Sequence, residues 1–175
     1  MAKTHSIVNT THCAAWDVDA LNYVGIAEED IDNGRFVALD GMNLDEDGMI
    51  KGYEYFVETS SELDPFNCYI VDSPEVGGTV EMQMMSDPRY FYNEAGKPMS
   101  LKRLQIGDSI EVDATCFQEG ELPEIRNVCY LDDGMLYVNS EPSAPFGFVC
   151  EGYHYIDCGQ EIVPTAIMRL VMQAL

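Results

Sequence analysis

The fold is decided by a short pattern whose clearest example reads Ile106-Gly107-Asp108-Ser109-Ile110-Glu111-Val112-Asp113-Ala114. A Gly-Asp turn opens this stretch, and apolar and polar residues alternate after it. Because successive side chains of a β-strand point to opposite faces, the alternation predicts a strand that buries Ile110 and Val112 on one face.

The same unit, a short β-rich run closed by Gly, Pro, Asn or Asp, recurs along the chain. Strands are predicted at residues 22–26, 35–39, 52–57, 68–71, 79–84, 109–116, 125–130, 135–138 and 146–156. Asn33-Gly34 predicts a type I′ hairpin turn, since both residues tolerate positive φ. The patterns of residues 15–21 and 165–175 are compatible with helices. For the second segment a strand is favoured, because it is short and the rest of the chain is β. The sequence thus predicts a mainly β fold, a compact β-barrel or β-tulip-like domain with many hairpins and little helix.

The domain organisation follows from length and composition. A chain of 175 residues that is 46% hydrophobic, with 10 Tyr and 7 Phe, has enough apolar material for a core and is unlike a disordered acidic tail. No Gly/Ser-rich or Pro-rich linker divides it. We expect a single β-rich domain over residues 1–175, with residues 1–20 as a candidate N-terminal arm.

The lack of a targeting signal in the given sequence favours reduced cysteines. The N-terminus has no apolar run of signal-peptide length, and no segment approaches the roughly 20 apolar residues that cross a bilayer. We therefore expect a chain made in the cytoplasm without a membrane partner. Its six cysteines are expected to stay reduced and buried; they are Cys13, Cys68, Cys116, Cys129, Cys150 and Cys158.

The charge is extreme and uneven. The 31 acidic residues against 9 basic ones give a formal charge of -22, which excludes nucleic acid as a partner because phosphate binding needs a basic face. Residues 86–106 hold four of the nine cations and only two acids, together with several aromatic side chains, and Arg and aromatic residues are enriched at interface centres. The alternative is that these cations neutralise acids of the same fold. The candidate interface residues are Arg89, Tyr90, Tyr92, Lys102 and Arg103.

One segment matches a metal-binding motif. Residues 43–54 place oxygen-bearing side chains at loop positions one, three and five, Gly at six and Glu at twelve, as in calcium-binding EF-hand loops. The flanking segments are predicted to be strands rather than helices, so the alternative is an Asp-Gly hairpin tip.

No motif of a catalytic site is found in the sequence. It lacks a phosphate-binding loop, a nucleophile elbow and a His-Glu-x-x-His helix, and the adjacent His12 and Cys13 would point apart in a strand. We predict a protein that is not an enzyme, with no catalytic residue, no cofactor and no metal site, and calcium at residues 43–54 stays an alternative.

The order of several motifs resembles a group of tailed-bacteriophage virion proteins encoded near the major capsid protein. The matching stretches are Asp30-Ile31-Asp32-Asn33-Gly34, residues 86–98 (SDPRYFYNEAGKP), residues 101–108 (LKRLQIGD), Phe146-Gly147-Phe148-Val149 and residues 165–171 (TAIMRLV). The acidic region 44–81 has no counterpart in this match.

The resemblance implies a capsid auxiliary or decoration protein, a small β-rich subunit that sits on the outside of the virion head and stabilises it. Its expected partners are the major capsid protein and further copies of itself, with a trimer favoured. We expect the acidic face to point outward, where like charge keeps virions apart, and the window at residues 86–106 to face the shell. The alternative function is a cytosolic acidic β-barrel module that binds a small ligand or calcium.

Overall fold

The computed structural model of the protein describes residues 4–64, 66–76, 80, 87–139, 144–159 and 161–173. Within these ranges eleven strands form an open sheet and a closed barrel. In chain order they are β1 (Val8–His12), β2 (Asn22–Ile26), β3 (Phe36–Leu44), β4 (Ile50–Thr59), β5 (Tyr69–Val71), β6 (Pro98–Arg103), β7 (Ser109–Asp113), β8 (Val128–Asp132), β9 (Met135–Val138), β10 (Phe146–Asp157) and β11 (Ile162–Met172). The predicted mainly β fold with a barrel is confirmed.

The barrel has the strand order β2-β4-β3-β5-β6 and closes where β6 pairs with β2. Strands β2 and β4 run parallel, and the other barrel pairs are antiparallel. The open sheet has the order β1-β7-β11-β10-β8-β9 and is antiparallel throughout. Closure leaves the barrel without a free edge, whereas the open sheet ends at β1 and β9.

The barrel and the open sheet share a wall built by β3 and β5. Phe36 and Ile70 belong to the core between barrel and sheet, while their neighbours Val37 and Val71 belong to the core inside the barrel. All four side chains are fully buried. On the far side of the wall, the ring of Phe36 lies 5.5 Å, centre to centre, from that of Phe148 on β10. Two hydrophobic cores are thus held back to back.

Most predicted strands are confirmed, with shifted ends. Ile110 and Val112 are buried on β7 as predicted, but the strand stops at Asp113 and a 3₁₀ turn, Ala114–Cys116, follows. The tail forms β11, which confirms the favoured strand. The other segment open to a helix holds two 3₁₀ turns, at Ala14–Trp16 and Asp19–Leu21. The predicted strand at 79–84 lies, apart from residue 80, outside the described residues.

The hairpin predicted at Asn33-Gly34 is wrong. Strands β2 and β3 do not pair with each other, and of the two turn residues Gly34 alone has positive φ, at 81°. Asn33 is instead a buried anchor: its side-chain amide donates to the carbonyl of Ser73 at 2.9 Å and accepts from the backbone N–H of Ser73 at 3.0 Å. Asn93 donates a further hydrogen bond, at 3.1 Å, to the same amide oxygen. These tertiary bonds override the local turn preference.

Part of the candidate N-terminal arm lies within the sheet. Strand β1 pairs with β7, and Val8 stands opposite Val112. Ile7, Val8 and Cys13 are buried. Residues 7–13 therefore contribute to the hydrophobic core.

Truncating the core ring at the shared wall tests this arrangement. We expect Phe148→Ala to lower the free energy of unfolding by about 3–5 kcal/mol, because it removes a fully buried ring and leaves a cavity beside Phe36. Phe66→Ala is the matched control, since the Phe66 side chain is 80% exposed, and it should change stability by less than about 0.5 kcal/mol. Urea unfolding monitored by circular dichroism measures the stability of both variants. Equal losses of unfolding free energy would contradict the packing of Phe148 on the wall built by β3 and β5.

Candidate partner interface

The five predicted interface residues lie on two elements. Arg89 and Tyr90 are in the 3₁₀ turn Pro88–Tyr90, with Tyr92 just after it, whereas Lys102 and Arg103 end strand β6. Lys102 is buried and the other four are half-buried. Consecutive strand residues point to opposite faces, so Lys102 and Arg103 cannot share one surface.

Arg89 is committed to an ion-pair cluster inside the fold. Its Nε donates to Asp87 Oδ1 at 3.0 Å, its Nη2 donates to Asp87 Oδ2 at 2.6 Å, and its Nη1 donates to Glu161. The Asp87 side chain is fully buried and that of Arg89 is 15% exposed. These donated bonds hold the pKa of the Asp87 carboxyl below its usual value. The cluster ties the turn to the residue that precedes β11.

Lys102 is held in a second buried network. Its Nζ lies 2.5 Å from Asp72 Oδ2 and 4.8 Å from the centre of the Trp16 ring. The hydroxyl of Thr10 also donates to Asp72 and accepts from the Trp16 indole N–H at 3.0 Å. With 7% of its surface exposed, Lys102 is an internal counter-ion for Asp72.

The remaining predicted residues are less constrained. Arg103 stands opposite Tyr69 across the β5–β6 pair, and its Nε is buried with no hydrogen-bond partner among the described residues. The Tyr92 ring lies 5.0 Å from the ring of His5. Tyr90 is half-buried in its turn. For Arg89 and Lys102 the geometry thus matches the alternative in which the cations of this window neutralise acids of the same fold.

A different region leaves large apolar side chains in solvent. The β3–β4 hairpin pairs as far as Leu44 opposite Ile50, whereas β2 meets β4 only at residues 54–56 and β5 meets β3 only at residues 36–37. Its outer half is therefore a two-stranded ribbon. Four large apolar residues of the ribbon are between 44% and 82% exposed, namely Leu44, Met49, Ile50 and Tyr53, and Phe56, where the hairpin meets β2, is 42% exposed. A concentration of exposed large apolar side chains on one hairpin makes it a candidate interaction surface.

An acidic groove lies beside this ribbon. It has a volume of about 790 Å³, and Ile26, Phe56 and Val57 contribute apolar surface to it. Of the described residues that line it, seven are acidic and one, Arg35, is a Lys or Arg; the acidic ones are Glu28, Glu29, Asp30, Asp32, Asp40, Glu58 and Asp133. The groove therefore joins apolar surface to a strongly negative rim.

The segment with the calcium-binding motif is the tip of the β3–β4 hairpin. The Asp45 carboxylate accepts from the backbone N–H of Asp47 at 3.0 Å and of Met49 at 2.8 Å, and Gly48 adopts a φ of 78°. The Asp45 carboxylate is thus occupied by hydrogen bonds within the turn. Among the described residues no group of three or more His, Cys, Asp or Glu side chains is arranged to hold a metal ion.

The six cysteines are free and buried, as predicted. Burial raises the pKa of Cys13, Cys68 and Cys129 to about 12. A thiol with so high a pKa is a poor nucleophile at neutral pH, because the thiolate is the reactive form. Cys13, beside His12, therefore packs as a small apolar side chain.

Comparison with known proteins yields no relative. No protein-family model matches the chain, and neither curated proteins nor solved structures give a match. Within the part of the chain that the structure describes, no helix has the length and apolar character needed to cross a membrane.

Sequence reasoning missed the exposed ribbon, although a signal was present. Strand β4 reads IKGYEYFVET, with apolar residues at both odd and even positions from Ile50 to Val57. A barrel strand that faces solvent on one side should alternate. Apolar residues on both faces of a strand that is not enclosed indicate a second partner for its outer face.

Removing the Arg89 guanidinium tests the buried cluster. We expect Arg89→Ala to destabilise the fold by about 3–5 kcal/mol at neutral pH, because it leaves the buried Asp87 carboxylate without its counter-ion. Arg169→Ala is the control: Arg169 pairs with Glu151 at 2.8 Å on the surface, with both side chains more than a third exposed. Its loss should be below about 1 kcal/mol. Equal losses in urea unfolding would show that the Arg89 cluster is no stronger than a surface pair.

The same cluster predicts a pH dependence. Because Arg89 lowers the pKa of Asp87, its contribution to stability is complete above the unfolded pKa of about 4 and disappears as pH falls through the folded pKa. In Arg89→Ala this contribution is absent. The difference in unfolding free energy between wild type and Arg89→Ala should therefore shrink as pH is lowered from 6 towards about 2. Urea unfolding over this range measures it, and a constant difference would contradict the assignment.

Proposed function

We propose that this chain is a structural subunit of a bacteriophage virion, a capsid auxiliary or decoration protein that binds the outside of the head shell and stabilises it. Its partners would be the major capsid protein and two further copies of itself in a trimer. The observation that carries the proposal is the ribbon of the β3–β4 hairpin, whose large apolar side chains face solvent in the isolated chain.

The ribbon suits a subunit of an assembly. It offers a partner the exposed apolar side chains of Met49, Ile50 and Tyr53. Burying these side chains against a lattice is favourable by roughly 25 cal/mol for each Å² of apolar surface removed from water. A monomer gains nothing from leaving them exposed.

The charge supports the same role. A formal charge of -22 on a subunit displayed in many copies gives each particle a negative coat, which keeps particles apart. The order of the motifs at residues 30–34, 86–98, 101–108, 146–149 and 165–171 adds the resemblance to phage virion proteins. In this proposal the apolar ribbon attaches the subunit to the shell, and acidic surfaces away from the ribbon face solvent. Tyr90, Tyr92 and Arg103 of the window at residues 86–106 stay candidates for contact with a neighbouring subunit.

A second candidate function is a small-ligand binding module. It is favoured by a cavity of about 470 Å³ lined by residues of β1, β6 and β10, with Trp16 and Lys102 at its wall. The polar groups there already bond to one another, since Lys102 pairs with Asp72 and Trp16 with Thr10. A ligand would have to displace these contacts. A melting temperature that rises with a small ligand, in a chain absent from virions, would favour this candidate.

Composition and reconstitution of virions test the proposal. Mass spectrometry of purified particles should find the chain in a fixed ratio to the major capsid protein, and its absence would overturn the proposal. Shells stripped of the chain should rebind the wild-type chain. They should not bind the double variant Met49→Ser/Tyr53→Ser, because it lacks two exposed apolar side chains. The control is Tyr155→Ser/Ile162→Ser, equally exposed residues of the β10–β11 hairpin, which should rebind. Circular dichroism confirms that each variant is folded.

A further inference from the structure

We propose that the outer face of strands β2, β4 and β3 is the docking surface for a polypeptide segment in which apolar residues alternate with Lys or Arg. This inference rests on the proposed function in taking the shell subunit as the source of the segment. It adds the surface that is used and the chemistry of the segment that it recognises.

The strand register shows which side chains face outward. Tyr23 and Val57 pack on the core inside the barrel, and a Cβ added at Gly25 would contact Leu101 and Val57, so these positions face inward. The alternate positions therefore face solvent. They include Val24 and Ile26 on β2 and Phe56 on β4, with Ile26 beside Phe56 in the parallel register.

Further apolar residues of the β3–β4 hairpin are exposed. Ile50 on β4 stands opposite Leu44 on β3, beyond a shift in the strand register between Met42 and Leu44. Ile50, Leu44 and Phe56 are 52%, 44% and 42% exposed, and Gly41 stands opposite Phe56 with open space where a side chain would be. At the barrel end, Ile26 and Phe56 line the acidic groove. Together with Val24 they provide apolar contacts on the exposed face beside it.

The rim of the groove carries negative charge that the fold does not neutralise. Within the described part of the chain, the carboxylates of Glu28, Glu29, Asp40 and Glu58 have no cation or hydrogen-bond donor. The other rim acids are engaged: Asp32 lies 2.6 Å from His5 Nδ1, Asp30 accepts from Ala95 N–H at 2.9 Å, and Asp133 accepts from the Thr59 hydroxyl at 2.7 Å. Four free carboxylates beside Phe56 define the complementary partner as cationic and apolar.

Charge also decides between possible occupants. A second copy that brought the same acidic face against this rim would place like charges in contact, which costs several kcal/mol. In the window at residues 86–106, two of the four cations, Arg89 and Lys102, are already paired within the fold. Nucleic acid is repelled by the acidic rim as well. A polypeptide segment with alternating apolar and basic side chains places its apolar residues on Phe56 and Ile26 and its ammonium or guanidinium groups at the rim.

The test uses a synthetic peptide of about ten residues in which Val alternates with Lys, long enough to follow one strand. The full chain should bind this peptide and not the matched peptide with Glu in place of Lys. Glu28→Lys/Glu58→Lys should weaken binding by about tenfold or more, since two attractive contacts become repulsive. Glu121→Lys/Glu124→Lys changes the net charge equally at an exposed site away from the groove, and should bind as wild type does.

A second pair of variants tests the apolar contacts. Phe56→Ser should weaken binding of the Val-Lys peptide, whereas Ile125→Ser, at an exposed residue outside the groove, should not. Equal binding by the two charge variants would overturn the inference, because attraction would then come from net charge alone. Self-association of the wild type that Phe56→Ser abolishes would overturn it too, by showing that a second copy occupies the face.

Virion experiments separate this inference from the proposed function. If the chain is present in virions and Glu28→Lys/Glu58→Lys rebinds stripped shells as well as wild type, the docking surface is wrong and the proposed function stands. If the Val-Lys peptide binds at the groove but the chain is absent from virions, the surface stands and the capsid role fails.

Discussion

The rest of the structure depends on burial of both faces of β5 and of the first two residues of β3. Phe36 and Ile70 point to the open sheet, and Val37 and Val71 point into the barrel. A strand buried on both sides can satisfy its backbone only through neighbouring strands, which β4 and β6 supply on either side of this wall. The closed barrel and the sheet that packs on it are two consequences of one shared layer.

Charge is the second constraint, and it is met differently for buried and for surface acids. Asp87 and Asp72 pair with Arg89 and Lys102. Asp108 accepts hydrogen bonds from the backbone N–H groups of Ala14 and Gln105. Asp113 is also buried, and desolvation raises the pKa of its carboxyl although Thr115 and Ile7 donate to it. With 9 Lys and Arg for 31 acids, most carboxylates stay at the surface without a counter-ion. The acidic groove is where this excess meets an apolar surface.

Local pattern predicted most of the strands, although not β1 or β6, and it could not predict which strands pair. The alternation at residues 109–113 is a property of the segment itself, so β7 was found with its buried face. The parallel pairing of β2 with β4 joins residues about thirty positions apart in sequence, and no local signal encodes it. Asn33-Gly34 failed for the same reason, because its turn preference was outweighed by bonds to the distant Ser73 and Asn93. The role of Arg89 and Lys102 likewise could not be predicted from sequence, because their partners Glu161 and Asp72 are distant in the chain.

The exposed ribbon shows why one sequence pattern has two outcomes. Strands β4 and β5 both carry apolar residues at odd and even positions. In β5 the second face is covered by the open sheet of the same chain, so Ile70 is buried in the core. In β4 the second face has no cover within the described residues, and Phe56 is exposed. The acids around Phe56 make a second acidic chain a poor cover for that face. An uncovered apolar face with a negative rim therefore favours a basic, apolar segment of a different protein, which is what a subunit that attaches to a lattice requires.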